Sequence, residues 1–171
     1  MFQQAAPKGT IGSALSIAEL IYHSIVRNVR KTHGNAVMSI LMNMLQTVVF
    51  VLVFFAMFSI LGMKGAALRG DFLLYIMSGV FLFMTHTKTL GAVAAAEGPS
   101  SPMMKHAPMN TVVAISAAAL STLYIQMISL VAILFVYHVA FVPLEIDRPI
   151  GALGMLLLAW FSGIGIGMVL L

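Results

Sequence analysis

The chain has 171 residues, of which 61% are hydrophobic and only 8% are charged. Soluble domains carry about a quarter charged residues, so this composition excludes an ordinary water-soluble domain and predicts lipid as the solvent. The net charge of +4 lies mostly between the apolar runs, and there is no cysteine. We therefore expect contact with anionic lipid headgroups rather than with nucleic acid, and no disulfide or thiolate chemistry.

The first predicted element is a two-faced helix over residues 10–31. Its apolar residues recur at three- and four-residue steps and form one stripe, made of Ile11, Leu15, Ala18, Ile21, Ile25 and Val29. The opposite side carries the polar residues Ser16, Glu19, His23, Arg27 and Arg30 or Lys31. Such a helix is too polar to span a membrane, so we expect it to lie in the interface. A soluble helix packed on a partner remains an alternative, because it needs the same pattern.

Four long apolar segments follow and predict an all-α membrane protein with a single transmembrane domain, residues 1–171. The predicted spans cover residues 36–61, 72–96, 111–142 and 150–171. The first would be about 39 Å long as a helix, enough to cross a bilayer with some tilt. All four runs are far too long for barrel strands. The last run is still apolar at Leu171, without the usual polar anchors, so we expect a chain truncated at its C-terminus.

Counts of lysine and arginine in the loops predict the orientation of the chain. One side carries Lys8, Arg27, Arg30, Lys31 and Lys105. The other side carries Lys64, Arg69 and Arg148. This bias places the N-terminus and the Pro-rich loop over residues 97–108 in the cytoplasm.

Lys88 is the only charged residue well inside a predicted span. At the centre of a bilayer a lysine costs about 3 kcal/mol, so its depth decides its role. Counted from Phe72, it lies about 24 Å inward, within about 6 Å of the cytoplasmic edge of the hydrocarbon core. Snorkelling of the ammonium to the headgroups is then feasible. The adjoining polar residues keep a second interpretation open, a water-filled polar passage: Thr85, His86, Thr87 and Thr89.

Motifs for enzymatic chemistry or for a metal are not found in the sequence. There is no Gly-rich phosphate loop, no paired carboxylates and no nucleophile with a base, so we expect neither an enzyme nor a bound cofactor. His86 and His138 lie on different spans and suggest a haem, but their predicted depths differ too much for one iron. The other histidines lack the spacing of metal ligands, so we expect no metal site.

Gly163 and Gly167 form a G-x-x-x-G step in the fourth predicted span. Gly151, Gly154 and Gly165 extend this series of small residues. Small residues on one face let two helices approach closely, so the pattern predicts tight packing of the fourth span.

The stretch from Gly79 to Ala119 carries three features in a fixed order. An aromatic-rich segment, 79–83, precedes a small-residue stretch that leads to Glu97, and a turn over 103–110 precedes the third span. Together with the interfacial helix, this order resembles the permease subunits of ABC-2-type exporters of capsular polysaccharide, O-antigen or polyol-phosphate polymers. Those permeases have six spans, of which this chain would cover the first four. Gly98-Pro99 stands where the family commonly has an Asn-containing pair.

The resemblance implies a function for the Pro-rich loop. In such permeases this loop is a coupling helix that inserts into a separate ATPase subunit. The corresponding residues are Glu97, Gly98, Pro99, Pro102, Met103, Met104, Lys105, His106 and Pro108. Without the resemblance, an ordinary connector between spans is the simpler interpretation.

The resemblance also implies partners and a location. It predicts a permease homodimer with two ATP-binding subunits in a bacterial inner membrane, exporting a lipid-linked glycan or polyol-phosphate chain. Candidates for lining the path are Phe81, Phe83, His86, Lys88 and Tyr124. The alternative function is a non-transporting membrane anchor or scaffold that recruits a soluble partner, and a haem-binding electron carrier is disfavoured by the depth argument.

Overall fold

A computed structural model of the chain describes residues 10–31, 35–62, 71–96, 111–140 and 148–171. These residues form five α-helices and no strand, so the predicted all-α fold is confirmed. The helices are α1 (Thr10–Lys31), α2 (Ala36–Ile60), α3 (Phe72–Ala94), α4 (Thr111–Ala140) and α5 (Pro149–Leu170). Their ends differ from the predicted ranges by about two residues or less, which is the usual uncertainty of a helix end.

Helices α2 to α5 are long and apolar enough to cross a membrane. They contain 25, 23, 30 and 22 residues, so even the shortest is about 33 Å long and exceeds a hydrocarbon core of about 30 Å. Large apolar side chains such as Leu52, Val131 and Leu158 are more than half exposed on these helices. Lipid is the solvent in which such exposure is favourable, and the chain is a multi-pass membrane protein.

Polar caps and a glycine define several of the helix ends. The Asn35 side chain accepts a hydrogen bond from Val37 N at the start of α2, and Asp71 accepts one from Leu73 N at the start of α3. Both side chains occupy the N-cap position, where they replace the missing backbone acceptors. Gly62 follows α2 with a φ of 71°, the left-handed conformation that ends many helices.

α3 lies at the centre of the bundle. It packs most extensively against α5 and also contacts α4 and α2. A hydrophobic core joins α2, α3 and α4, and its buried members are Val51, Ile76, Met77, Val80, Phe81, Met84, Ile133 and Tyr137. At one end of this core the Tyr137 hydroxyl donates a hydrogen bond to the second carboxylate oxygen of Asp71. The cap of α3 is thereby linked to the C-terminal part of α4, which fixes these two helices as antiparallel.

The amphipathic helix α1 packs mainly against α4. Burial of its predicted apolar stripe rises along the helix, from Leu15, which is 66% exposed, to Val29, which is 5% exposed. The stripe is therefore only partly covered by protein, and its first half is left for lipid. On the opposite side Glu19 and His23 are exposed, and Glu19 Oε1 lies 3.9 Å from His23 Nε2, in agreement with the predicted polar face. Ser16, also predicted there, is half-buried instead, with its hydroxyl bonded to Gly12 O.

Candidate functional site

A buried polar network joins α2, α3 and α4 inside the apolar part of the bundle. Asn43 of α2 is its central residue and is 5% exposed. Its amide nitrogen donates to Gln126 Oε1 and Ser129 Oγ of α4, both at 2.7 Å. Its amide oxygen accepts a hydrogen bond from Lys88 Nζ of α3. One asparagine therefore connects three membrane-spanning helices.

Lys88 determines the orientation of both amides in this network. An ammonium only donates hydrogen bonds, so the Asn43 atom that faces it must be the oxygen. The Asn43 nitrogen then faces Gln126 and needs an acceptor, which places the Gln126 oxygen on that side. The Gln126 amide nitrogen is left over. It is buried and has no hydrogen-bond partner in the described part of the chain.

The network lies toward one end of the bundle, within the apolar helices. At 1.5 Å per residue, Asn43 is about 10 Å from the start of α2, and Lys88 is about 9 Å from the end of α3. These two ends lie on the same side, because α2 and α3 are antiparallel. The side chains therefore meet several ångströms inside the apolar region, where unpaired polar groups are costly.

Lys88 is the ionisable residue of this network. No Asp or Glu within the described ranges forms a salt bridge with its ammonium. The sequence allowed two interpretations, snorkelling to the headgroups or a polar passage. Because the half-buried ammonium is bonded to Asn43, it has a polar protein partner at its own depth. The ammonium thus does not depend on the headgroups for a partner, and the polar passage stays a prediction.

A partly open groove of about 560 Å³ lies beside the network, and we call it the Lys88 groove. Its polar lining includes Asn43, Lys88, Gln126 and the exposed Gln46. Its walls are largely apolar and are formed by Met42, Leu45, Val49, Phe50 and Ile125. The groove therefore combines a cationic, donor-rich patch with an apolar surround.

The other predicted path residues lie in different surroundings. Phe83 is 54% exposed, and its ring centroid is 6.4 Å from that of Phe50 in the groove wall. Tyr124 is also exposed, but it does not line the groove. Phe81 is buried in the hydrophobic core, and His86 faces α5. The structure thus brings Lys88 and the Phe83 region near the groove and separates Phe81 and His86 from it.

The contact between α3 and α5 is close enough to involve the backbone. A Cβ atom added to Gly163 would lie 2.7 Å from His86 O, and one added to Gly167 would lie 2.8 Å from Val93 Cβ. The predicted tight packing of the fourth span is confirmed at these two glycines. A Cβ on Gly165 would meet nothing within 4 Å, so the extension of the small-residue series takes no part in this contact.

Polar side chains accompany these glycines. His86 Nδ1 lies 2.9 Å from Ser162 Oγ, and the Thr89 hydroxyl is buried with no partner among the residues described. Trp160 Nε1 donates to Ala119 O at 2.8 Å and connects α5 with α4. His86 therefore has a packing partner in the bundle, which is the ordinary role of a histidine on an apolar helix.

The predicted coupling loop follows α3 in the sequence. The nine residues assigned to it by resemblance, from Glu97 to Pro108, all lie outside the described residues. In the described ranges there is also no group of three or more His, Cys, Asp or Glu side chains that would hold a metal ion.

Sequence reasoning missed the partners of Lys88. Ser39, Asn43 and Thr47 recur every four residues in α2 and are all buried, so they form one polar stripe that ends at the buried Val51. In an otherwise apolar span, this spacing is a readable signal for a face turned toward protein rather than lipid. Gln126 is the corresponding signal in α4. It is a single amide in a long apolar helix, and it is 1% exposed.

Comparison of the chain with protein-family models, with curated proteins and with solved structures finds no match.

Proposed function

We propose that the chain is a permease subunit of an ATP-driven exporter and that it forms part of a path for a cell-surface glycan or polyol-phosphate polymer. In this proposal a permease homodimer works with separate ATP-binding subunits in a bacterial inner membrane, and the N-terminus is cytoplasmic. The family assignment comes from the resemblance of the element order to ABC-2-type permeases. The polar network between α2, α3 and α4 is the structural observation that supports transport.

The energetic argument starts from the cost of the network. A lysine at the centre of a span costs about 3 kcal/mol, and an unpaired buried amide costs about 1–3 kcal/mol. A helix bundle that served only to hold a soluble partner at the membrane would be more stable with apolar residues at Asn43, Lys88 and Gln126. Polar residues retained in a membrane interior mark pathways and binding sites, which favours a transport function over a passive anchor.

The helix arrangement supports a route along the bundle. The Lys88 groove has polar atoms on one wall and is partly open, whereas the α3–α5 contact on the other side of the same helix is closed by backbone packing. In this proposal a movement of α2 relative to α3 changes the groove without disturbing the glycine contact. Hinge and shear motions of packed helices are the usual way in which such a path opens and closes.

The energy source in this proposal is external. The sequence has no phosphate-binding loop of the G-x-x-x-x-G-K-[ST] type, so ATP hydrolysis is assigned to a partner subunit. The Pro-rich loop, with Met103 and Met104 between its prolines, is the proposed contact. Flexible methionine side chains adapt well to a groove on a partner.

The proposal is tested by co-purification from native membranes. A tagged chain extracted in detergent is expected to bring down a soluble protein that carries a phosphate-binding loop. The pair Met103→Asp and Met104→Asp puts two charges into the apolar contact and is expected to lower the amount of that protein about tenfold or more. Membrane insertion of the variant, measured by carbonate extraction, should stay unchanged.

The matched control keeps the contact apolar. Met103→Leu with Met104→Leu is expected to retain the partner at the wild-type level. Retention of an ATPase by the double Asp variant would contradict the assignment of the coupling loop. A functional complex without any nucleotide-hydrolysing subunit would contradict the exporter proposal and leave the anchor or scaffold function.

A further inference from the structure

The Lys88 groove contains hydrogen-bond donors that the described protein leaves unused. The ammonium of Lys88 has further N–H groups beyond the one given to Asn43. The amide nitrogen of Gln126 is buried without an acceptor and belongs to a residue that lines the groove. Both of these groups are hydrogen-bond donors, and the ammonium is charged.

The charge balance indicates what kind of ligand fits. Both polar atoms of the Asn43 side chain are engaged, because its oxygen accepts from Lys88 and its nitrogen donates to Gln126 and Ser129. It holds the lysine in place but neutralises nothing. A ligand that offers only acceptor atoms and a negative charge would supply what both Lys88 and Gln126 lack.

We propose that the Lys88 groove is a binding site for a phosphoryl group, held by the Lys88 ammonium and the Gln126 amide. A phosphoryl group has several anionic oxygens and accepts bonds from both donors at once. The site is about 9 Å from the end of α3, so it is within reach of the phosphate level of a membrane leaflet. The apolar walls at Met42, Val49 and Ile125 suit a hydrocarbon chain attached to that group.

The same chemistry has two sources, a phosphorylated lipid or a phosphate carried by a water-soluble polymer. The apolar walls favour the lipid, so we expect a phosphorylated lipid to bind more tightly than free phosphate. This inference rests on the proposed function for the identity of the transported molecule. The binding itself requires no ATPase and is measured on the purified chain.

The experiment uses the full chain in an uncharged maltoside detergent. Short-chain phosphatidic acid, the matching diacylglycerol and inorganic phosphate are titrated separately, and binding is followed by microscale thermophoresis. Phosphatidic acid is expected to bind at least about tenfold more tightly than the diacylglycerol, because only the former reaches the charged donor. Saturation by inorganic phosphate at lower or equal concentration would assign the site to a water-soluble phosphate instead of a lipid.

Two variants and one control test the residues. Lys88→Met keeps an unbranched side chain of nearly the same length, removes the half-buried charge, and is expected to weaken phosphatidic acid binding about tenfold or more. Gln126→Glu keeps the shape of the side chain and supplies an internal anion next to the lysine, so it should weaken binding to a similar degree. Arg148→Met, at the exposed start of α5, should bind as the wild-type chain does.

The outcomes separate this inference from the exporter proposal. Equal affinity of Lys88→Met and the wild-type chain for phosphatidic acid would overturn the phosphoryl site, as would equal affinity of the wild-type chain for the diacylglycerol. Neither variant touches the Pro-rich loop, so both should still co-purify with the ATPase. Loss of that co-purification from the wild-type chain would count against the exporter proposal alone.

Discussion

The two faces of α3 differ in how closely the neighbouring helices approach. On the face toward α5, Gly163 and Gly167 remove side chains, and the helices approach until a single added carbon would collide with the backbone. On the face toward α2 and α4, Lys88 meets Asn43, and a groove of about 560 Å³ remains between the helices. Close packing and ligand space therefore lie on different sides of one helix.

The difference has a physical basis in the membrane. Lipid tails give no hydrophobic drive for helix association, so close contact and interhelical hydrogen bonds must supply it. The α3–α5 contact relies on close backbone approach, and His86 and Ser162 add a polar contact. The α2–α3–α4 contact uses hydrogen bonds through Asn43. A groove lined partly by polar atoms remains beside this contact.

The largest expected effect lies at the glycine contact. Gly163→Ala combined with Gly167→Ala should destabilise the docking of α5 by about 3 kcal/mol or more, because each new methyl group overlaps atoms of α3 and overpacking costs about 1–3 kcal/mol per site. Trp160 is the only tryptophan and is bonded to Ala119 O, so its fluorescence during thermal unfolding in detergent reports this docking. The control Gly165→Ala should leave the transition unchanged, since its new methyl group meets nothing within 4 Å. An equal loss of stability in Gly165→Ala and in the double variant would contradict the close approach of α5 to α3 at Gly163 and Gly167.

A smaller effect is expected at the polar network. Asn43→Leu leaves Lys88, Gln126 and Ser129 without their shared partner and should cost about 2 kcal/mol of stability. Adding Lys88→Met should restore part of this loss, because the unpaired charge is then gone. Met42→Leu, a neighbour in the groove wall without a described hydrogen bond, is the control. Additive losses in the double variant, measured by chemical unfolding, would show that the two residues do not interact.

The fold could be predicted from the sequence because the apolar patterns that define its helices are long and repetitive. Spans of 22 to 30 residues repeat one composition many times over, so their ranges and the all-α class follow from hydropathy. The glycine contact was also readable, since Gly163 and Gly167 are four residues apart. Which of the five glycines contact α3 depends on how α3 and α5 pack in the tertiary structure, and the sequence pattern does not determine this.

Only part of the candidate site could be predicted from the sequence. Lys88 is conspicuous as the one charge in an apolar span. Its partner Asn43 is a single polar residue on α2, and Asn43 in turn bonds Gln126 and Ser129 on α4, 83 and 86 residues further along the chain. Their pairing depends on helix rotation and register, which composition does not determine. His86 shows the reverse case. It lies close to Lys88 in sequence, yet helical rotation turns it toward α5 and away from the groove.

The central claim, that the Lys88 groove is a polar space inside the membrane, is tested most directly by cysteine labelling. The chain has no cysteine, so single substitutions report one position each. Gln46 lines the groove, and Val48 lies at nearly the same depth on α2 but outside the groove, so each is replaced by cysteine in turn. In sealed membrane vesicles, a charged methanethiosulfonate reagent is expected to modify Gln46→Cys at least about tenfold faster than Val48→Cys, since thiolates form in water and not in lipid. Equal and negligible rates at both positions would contradict the account.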